Sequence, residues 1–139
     1  MTIHAYTDGA SRGNPGESGI GVLLKDEHGA TIFSSSRYIG KATNNVAEYE
    51  ALLCCLSAVA DRECKKLIVH SDSELMVRQI QGSYRVRDKN LQKYYQKVYG
   101  CLQNAPFEFT IVHIDRGLNR EADRLANQAI DSRAIRAAH

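Results

Sequence analysis

The hydrophobic period of this chain changes once, near Asn45, and that change limits the folds open to it. Before it lie three short runs with strand character, Thr2 to Thr7, Gly19 to Lys25 and Thr31 to Tyr38. The glycine-bearing turns GNPGESG and DEHG separate them, the pattern of an antiparallel meander. After it, Val46, Tyr49, Leu52, Leu53, Leu56 and Val59 recur at spacings of three and four and mark the apolar face of a long helix, which Asp61 and the charged residues after it end. Lys66 to His70 is a short apolar run of the kind a buried parallel strand needs, and Ser73 is placed to cap a helix expected to reach Gly82. A further helix is predicted over Asn90 to Gln103 and a last strand over Phe107 to Ile114. A final helix follows, with Asn119 as its N-cap.

Strands first as a meander and then alternating with helices predict an α/β fold built on one five-stranded mixed sheet, three antiparallel strands followed by parallel ones, flanked by helices on both faces. At 139 residues the chain is expected to form a single domain, 1–139, with residues 132–139 as a tail free to fray. Hydrophobic content of 43% and charged content of 24% are those of a soluble protein, and no run approaches the roughly 20 apolar residues of a membrane span. The opening MTIHAYTDG reads as a strand rather than a leader, so a cytoplasmic location with no membrane partner is expected. Cys54, Cys55, Cys64 and Cys101 have neither CxxC spacing nor a nearby His pair, which argues for reduced, structural thiols. The formal net charge of +2 admits a nucleic-acid partner only where cations are concentrated on one surface.

Four acids stand in four separate local patterns: Asp8 in YTDGASRGNPG, Glu48 in TNNVAEYEALL, Asp72 in VHSDSEL and Asp123 in NREADRLAN. Taken singly, each is better explained as a turn former or a cap. Their placement changes that. Ligands of an open α/β sheet collect at the C-terminal ends of its strands, where Asp8 is expected at the end of the first strand and Asp72 just past the fourth. Glu48 and Asp123 are expected in the first turns of their helices, leaning over the same edge. Carboxylates gathered from distant sequence repel and lose hydration, so such a cluster calls for a hard cation, and an all-oxygen donor set favours Mg²⁺ or Mn²⁺ over zinc. Two such ions form the usual clamp for in-line displacement at a phosphodiester.

YTDGASRGNPGESGIGVLL, TNNVAEYEALL, HSDSEL and NREADRLAN, in this order and over about residues 1 to 131, resemble the type 1 ribonuclease H family. The resemblance implies a ribonuclease H-like fold and a monomeric endonuclease that cuts the RNA strand of an RNA–DNA hybrid, leaving 5′-phosphate and 3′-hydroxyl ends. It implies two Mg²⁺ ions, replaceable by Mn²⁺. Asp8 would bridge both, Glu48 and Asp72 would hold the one on the leaving-group side, and Asp123 the one that activates water. Glu48 would also lie near the ribose 2′-hydroxyl that tells RNA from DNA.

Substrate contacts implied by the same resemblance are Asn14 in the GNPG turn, Thr43, Asn44 and Asn45 before the long helix, and Ser11. Side-chain and helix-start amides can donate to phosphates and read sugar hydroxyls. Arg85, Arg87, Lys89, Lys93 and Lys97 face a single acid in the segment YRVRDKNLQKYYQKVY, a second phosphate-binding candidate, although such runs are commonly solvated helix faces and their tyrosines core. This segment is shorter than the tryptophan-bearing basic protrusion of some bacterial relatives, and the turn IDRGLNREA is too short for the family's histidine-bearing loop. His113 is therefore assigned to the strand. Arg116, in the shortened turn, is the candidate for steering phosphate, with a surface ion pair as its alternative. Glu74 stands where many relatives carry Gln, and its role stays open. Two other readings compete: a hybrid-binding module without catalysis, which would have no reason to keep four mutually repelling acids, and a nuclease of the same superfamily acting on DNA junctions or double-stranded RNA.

Overall fold

The computed structural model describes residues 1–138, with side chains through Arg133. Its strands are β1 (Thr2–Gly13), β2 (Gly16–Lys25), β3 (Thr31–Ala42), β4 (Lys66–Ser71) and β5 (Glu108–His113), and its helices α1 (Asn44–Ala60), α2 (Glu74–Ile80), α3 (Lys89–Gln103) and α4 (Arg120–Ala138). The sheet order is β3-β2-β1-β4-β5, with β1 antiparallel to β2, β2 to β3, and β4 parallel to both β1 and β5. This is the mixed sheet read from the sequence, with β1 at the junction of its two halves.

Alternation along β1 sends Ile3 and Ala5 into the core shared with Val22, Leu24, Tyr49, Leu52, Leu67, Val69 and Ile111 under α1. His4, Tyr6 and Asp8 fall on the opposite face. There α4 packs on β2, β3 and β1, while Ile68, His70 and Val112 of the two remaining strands are only half buried. The second face is thus half covered rather than fully flanked, because one helix is about 10 Å wide and the sheet is five strands across.

Several boundaries differ from expectation. β1 runs on to Gly13, so Asp8 lies inside a strand; what ends beside it is the parallel pairing with β4, whose last rung is Thr7 with Ser71. The β1–β2 ladder continues to Gly13 opposite Gly16, which also starts β2 earlier, and β3 extends to Ala42 to follow it. Glu48 is the fifth residue of α1, past its first turn. Thr43 caps that helix by accepting from Val46 N–H at 3.2 Å. Ser73 caps α2, which stops at Ile80 because Gly82 turns away with φ +84°. Asp88 caps α3. Asn119 precedes α4 as expected, but its side chain leaves the helix to donate to the Thr7 carbonyl at 2.9 Å, leaving only its backbone carbonyl to receive Asp123 N–H. Residues 132–138, expected to fray, continue α4, and His139 lies outside the described residues.

Candidate active site

Asp8 owes its surroundings to two neighbouring positions that tolerate no side chain. A Cβ on Gly9 would lie 2.3 Å from the Ala47 carbonyl carbon, and one on Gly21, the partner of Asp8 across the β1–β2 ladder, would lie 2.1 Å from the Ala122 oxygen. Glycine at these positions lets α1 press on one face of the sheet and α4 on the other, immediately around Asp8. Close approach of α1 brings Gly9 N–H onto Glu48 Oε1 at 2.6 Å, so a backbone donor from the strand holds the helix carboxylate. Close approach of α4 brings Asp123 near enough to help raise the Asp8 carboxyl.

Asp72 arrives by a separate route. Ser71 Oγ accepts from Ser73 N–H at 3.1 Å, and Ser73 caps α2, so Asp72 is pinned between the end of β4 and the start of a helix. Gln79 of α2 receives the hydroxyl of Tyr49 at 2.6 Å, both side chains being buried, which ties α2 to the helix that carries Glu48.

One oxygen from each of Asp8, Glu48 and Asp72 falls within 4.8 Å of the others. Asp8 and Glu48 are 5% and 4% exposed. Burial first, then the charges of Glu48 and Asp72, push the Asp8 carboxyl far above the usual carboxylate range. Burial and then Asp72 raise Glu48 as well, against the pull of Gly9 N–H. The side-chain cation paired with the cluster, among the described residues, is Arg116, whose Nε lies 3.6 Å from Asp72 Oδ2 while its side chain is 87% exposed. An exposed guanidinium at that distance offsets little of the repulsion. Three carboxylates supply acceptors and no donor, so the cluster is complete only with shared protons or a hard cation, and its all-oxygen donor set fits Mg²⁺, Mn²⁺ or Ca²⁺. Asp123 stands outside the 4.8 Å triad and joins it through Asp8.

Five of the expected substrate contacts, Ser11, Asn14, Thr43, Asn44 and Asn45, gather where the β1–β2 turn meets the start of α1. Asn14 Oδ1 accepts from Asn44 N–H at 3.1 Å, tying the β1–β2 turn to the start of α1. Asn44 and Asn45 are exposed, and the single Ser11 hydroxyl hydrogen is shared between the carbonyl oxygens of Gly13 and Ala42. Thr43 and Ser11 thus have structural employment, whereas the side chains of Asn44 and Asn45 face solvent. His113 is an exposed residue of β5 and Glu74 an exposed first residue of α2. In the basic segment Tyr94 and Tyr95 pack against the core while Tyr84 and Tyr99 are exposed, so the tyrosines divide between the two readings. The four cysteines are free thiols.

Three positions that hold the site together went unremarked in the sequence or were given other work. Gly9 and Gly21 carry a signal, since glycine within a strand pattern marks a close approach of backbone. The tie from Asn119 to Thr7 carries none, because its partner is 112 positions away.

Comparison with known proteins agrees with this geometry. The family described as reverse transcriptase-like matches residues 6–129. Ribonuclease HI of Halobacterium salinarum is 38% identical over 93% of this chain, which spans 64% of that protein. Ribonuclease H of Halorhodospira halophila is 31% identical, with 93% of each chain covered. The crystal structure of LC11-RNase H1 in complex with an RNA/DNA hybrid is 43% identical and superposes with a TM-score of 0.91, over 95% of this chain and 99% of that one. With its sheet order, its acid cluster and these relatives in agreement, the chain belongs to the type 1 ribonuclease H family.

Proposed function

We propose that this chain is a metal-dependent endoribonuclease that hydrolyses the RNA strand of RNA–DNA hybrids, giving 5′-phosphate and 3′-hydroxyl ends. The observation that carries the reading is the convergence of Asp8, Glu48 and Asp72 oxygens within 4.8 Å, on a sheet shared with ribonucleases H. Asp8, Glu48, Asp72 and Asp123 would hold two divalent cations, Mg²⁺ or Mn²⁺. Such cations, when bound, make water more acidic and neutralise phosphoryl oxygens.

The chain's own residues supply the rest. Asp8, which lies within the cluster with Glu48 and Asp72 and feels Asp123, would be the ligand best placed to serve both cations. Glu48 is held by Gly9 N–H through Oε1, which restrains the carboxylate and leaves its second oxygen without that donor, available to a cation or a ribose hydroxyl. Arg116 presents a planar fork of donors at the open side of Asp72, suited to a scissile or product phosphate. Asn44, its backbone anchored by Asn14, and Asn45 supply amides for sugar hydroxyls and backbone of the hybrid. All four acids lie on one chain, so a monomer suffices for the chemistry. Among the described residues no helix is long and apolar enough to cross a membrane, and we read the protein as a cytoplasmic single domain.

Matched hybrid, double-stranded RNA and DNA duplexes of one sequence, incubated with Mg²⁺ or Mn²⁺, test the proposal. The RNA strand of the hybrid alone should be cut, with chelator abolishing the reaction. Preferential cutting of DNA or double-stranded RNA would transfer the chain to another nuclease class, and binding of the hybrid without cleavage in either metal would make it a binding module.

A further inference from the structure

Asp123, Asn127 and Asp131 recur every fourth residue and so form one stripe along α4. The amide of Asn127 donates to the Asp123 carboxylate, Nδ2 to Oδ1 at 3.2 Å, and to the Asp123 carbonyl at 3.0 Å. Arg12, from the far end of β1, lies across the stripe. Its guanidinium donates to Asn127 Oδ1 at 3.3 Å and to the Asn127 carbonyl at 3.4 Å, and pairs with Asp131 Oδ1 at 2.6 Å.

We propose that Asn127 is a positioning residue for Asp123, held in its working orientation by Arg12. The inference rests on the proposed role of Asp123 in holding a cation. Guanidinium offers donors alone and an ionised carboxylate acceptors alone, so an amide between them has one orientation that satisfies both: Oδ1 toward Arg12 and Nδ2 toward Asp123. Arg12 therefore selects which end of Asn127 faces the acid. Asparagine in a helix interior is a poor helix former, and the tie to Asp123 gives it local work.

Chemistry favours a neutral donor at this point. An arginine or lysine in direct contact with Asp123 would neutralise the charge that a cation needs, whereas an amide fixes the rotamer and leaves the charge in place. The Arg12–Asp131 pair is too exposed to add much to stability, at 44% and 59% for the two side chains, so its effect is geometric. Asp123 is thereby held from its helix side and is free to reach Asp8 on the other.

Full-length Asn127→Leu, Arg12→Leu and the double variant test this, with Mn²⁺ binding to the free protein measured by electron paramagnetic resonance and hybrid cleavage resolved into kcat and KM. Asn127→Leu should weaken Mn²⁺ binding and lower kcat by about tenfold each, the scale of losing a partner that orients a ligand, with KM for the hybrid within about twofold of the parent. Arg12→Leu should shift both in the same direction by less, and should add nothing in the Asn127→Leu background, because both act through one contact. Unchanged Mn²⁺ affinity in Asn127→Leu would overturn the proposal. So would an Arg12→Leu effect confined to KM and additive with Asn127→Leu, which would make Arg12 a phosphate contact. Circular dichroism melts identify a variant that fails to fold, for which Asn127→Ala serves in its place. The Mn²⁺ measurement reads the relay even if the parent cuts no hybrid, so the two proposals fail separately.

Discussion

His4 and His70 meet diagonally across β1 and β4, whose register sets Tyr6 opposite His70, and Asp8 and Asp72 meet just past the last rung of the same ladder, yet the two pairs end in opposite states. His4 Nδ1 lies 3.3 Å from His70 Nε2, with ring centres 5.5 Å apart and planes within 6°. Since an imidazole nitrogen sits about 1.1 Å from its ring centre, both nitrogens lie on the line joining the centres, and the rings meet edge to edge in one plane. That is a hydrogen bond with one donor and one acceptor. His70 Nδ1 is buried without a partner, so placing the hydrogen on His70 Nε2 avoids a stranded donor and lets His70 donate to His4. Burial, then the charge of His4, pull the His70 pKa down to about 4. The imidazoles complete each other through one hydrogen bond. Carboxylates cannot do so, having acceptors alone, and the acid cluster is left requiring a proton or a cation. Proximity on a sheet does not make a site; an unmet requirement among groups already brought together does.

The largest effect expected from disturbing this contrast is at Asp8. Asp8→Asn should lower hybrid cleavage about a thousandfold or more, while the melting temperature of the metal-free protein holds or rises, because one charge leaves a crowded buried cluster. Steady-state assay and thermal melts check both. Retained turnover would remove Asp8 from the chemistry.

Next is the pH dependence of the metal-free protein. Asp8 and Glu48 have folded values above their unfolded ones, so their contribution to stability is full below about pH 4 and is lost as pH rises through the raised folded values. Denaturant titrations without metal should show stability falling from mildly acid toward alkaline pH, with Mg²⁺ restoring it at the alkaline end. A flat profile would mean that neither burial nor mutual repulsion raises these acids.

Arg116→Ala should cost less, about fivefold in kcat/KM for the hybrid, the scale of one exposed charged contact. An unchanged rate at low substrate would leave Arg116 as a surface ion pair with Asp72. The smallest effect on activity belongs to the imidazole pair. Because the His70 value is depressed, its contribution is present above the ordinary histidine value near 6.5 and is lost as pH falls from there toward 4. His70→Gln should flatten that acid limb in denaturant titrations and leave cleavage within about twofold. A large loss of cleavage would mean that the two clusters are coupled and the contrast is false.

The acids were legible in the sequence because each sits in a local pattern, and α1 because its apolar residues keep a helical period over four turns. The outer ends of the meander were not. ASRG and IGKA lack the alternation that marks a strand, and they pair because the Gly13–Gly16 turn and the β1–β2 ladder carry them along. Hence Asp8 was expected at a strand's end when it stands at the end of a pairing. The long-range ties of Asn119, expected only as an N-cap, and of Asn127 were invisible for a different reason. The residues that define their orientation, Thr7 and Arg12, are more than a hundred positions away, and a helical asparagine looks like any surface residue until its partners are in place.

The central claim is that one cation-binding centre lies between Asp8, Glu48, Asp72 and Asp123. An anomalous difference map from a crystal of this protein soaked in Mn²⁺ and recorded at the manganese absorption edge tests it most directly. The account predicts a peak in contact with Asp8 and at least two of the other three carboxylates. A map with no peak at Asp8, or with its strongest peak at His4 and His70, would contradict it.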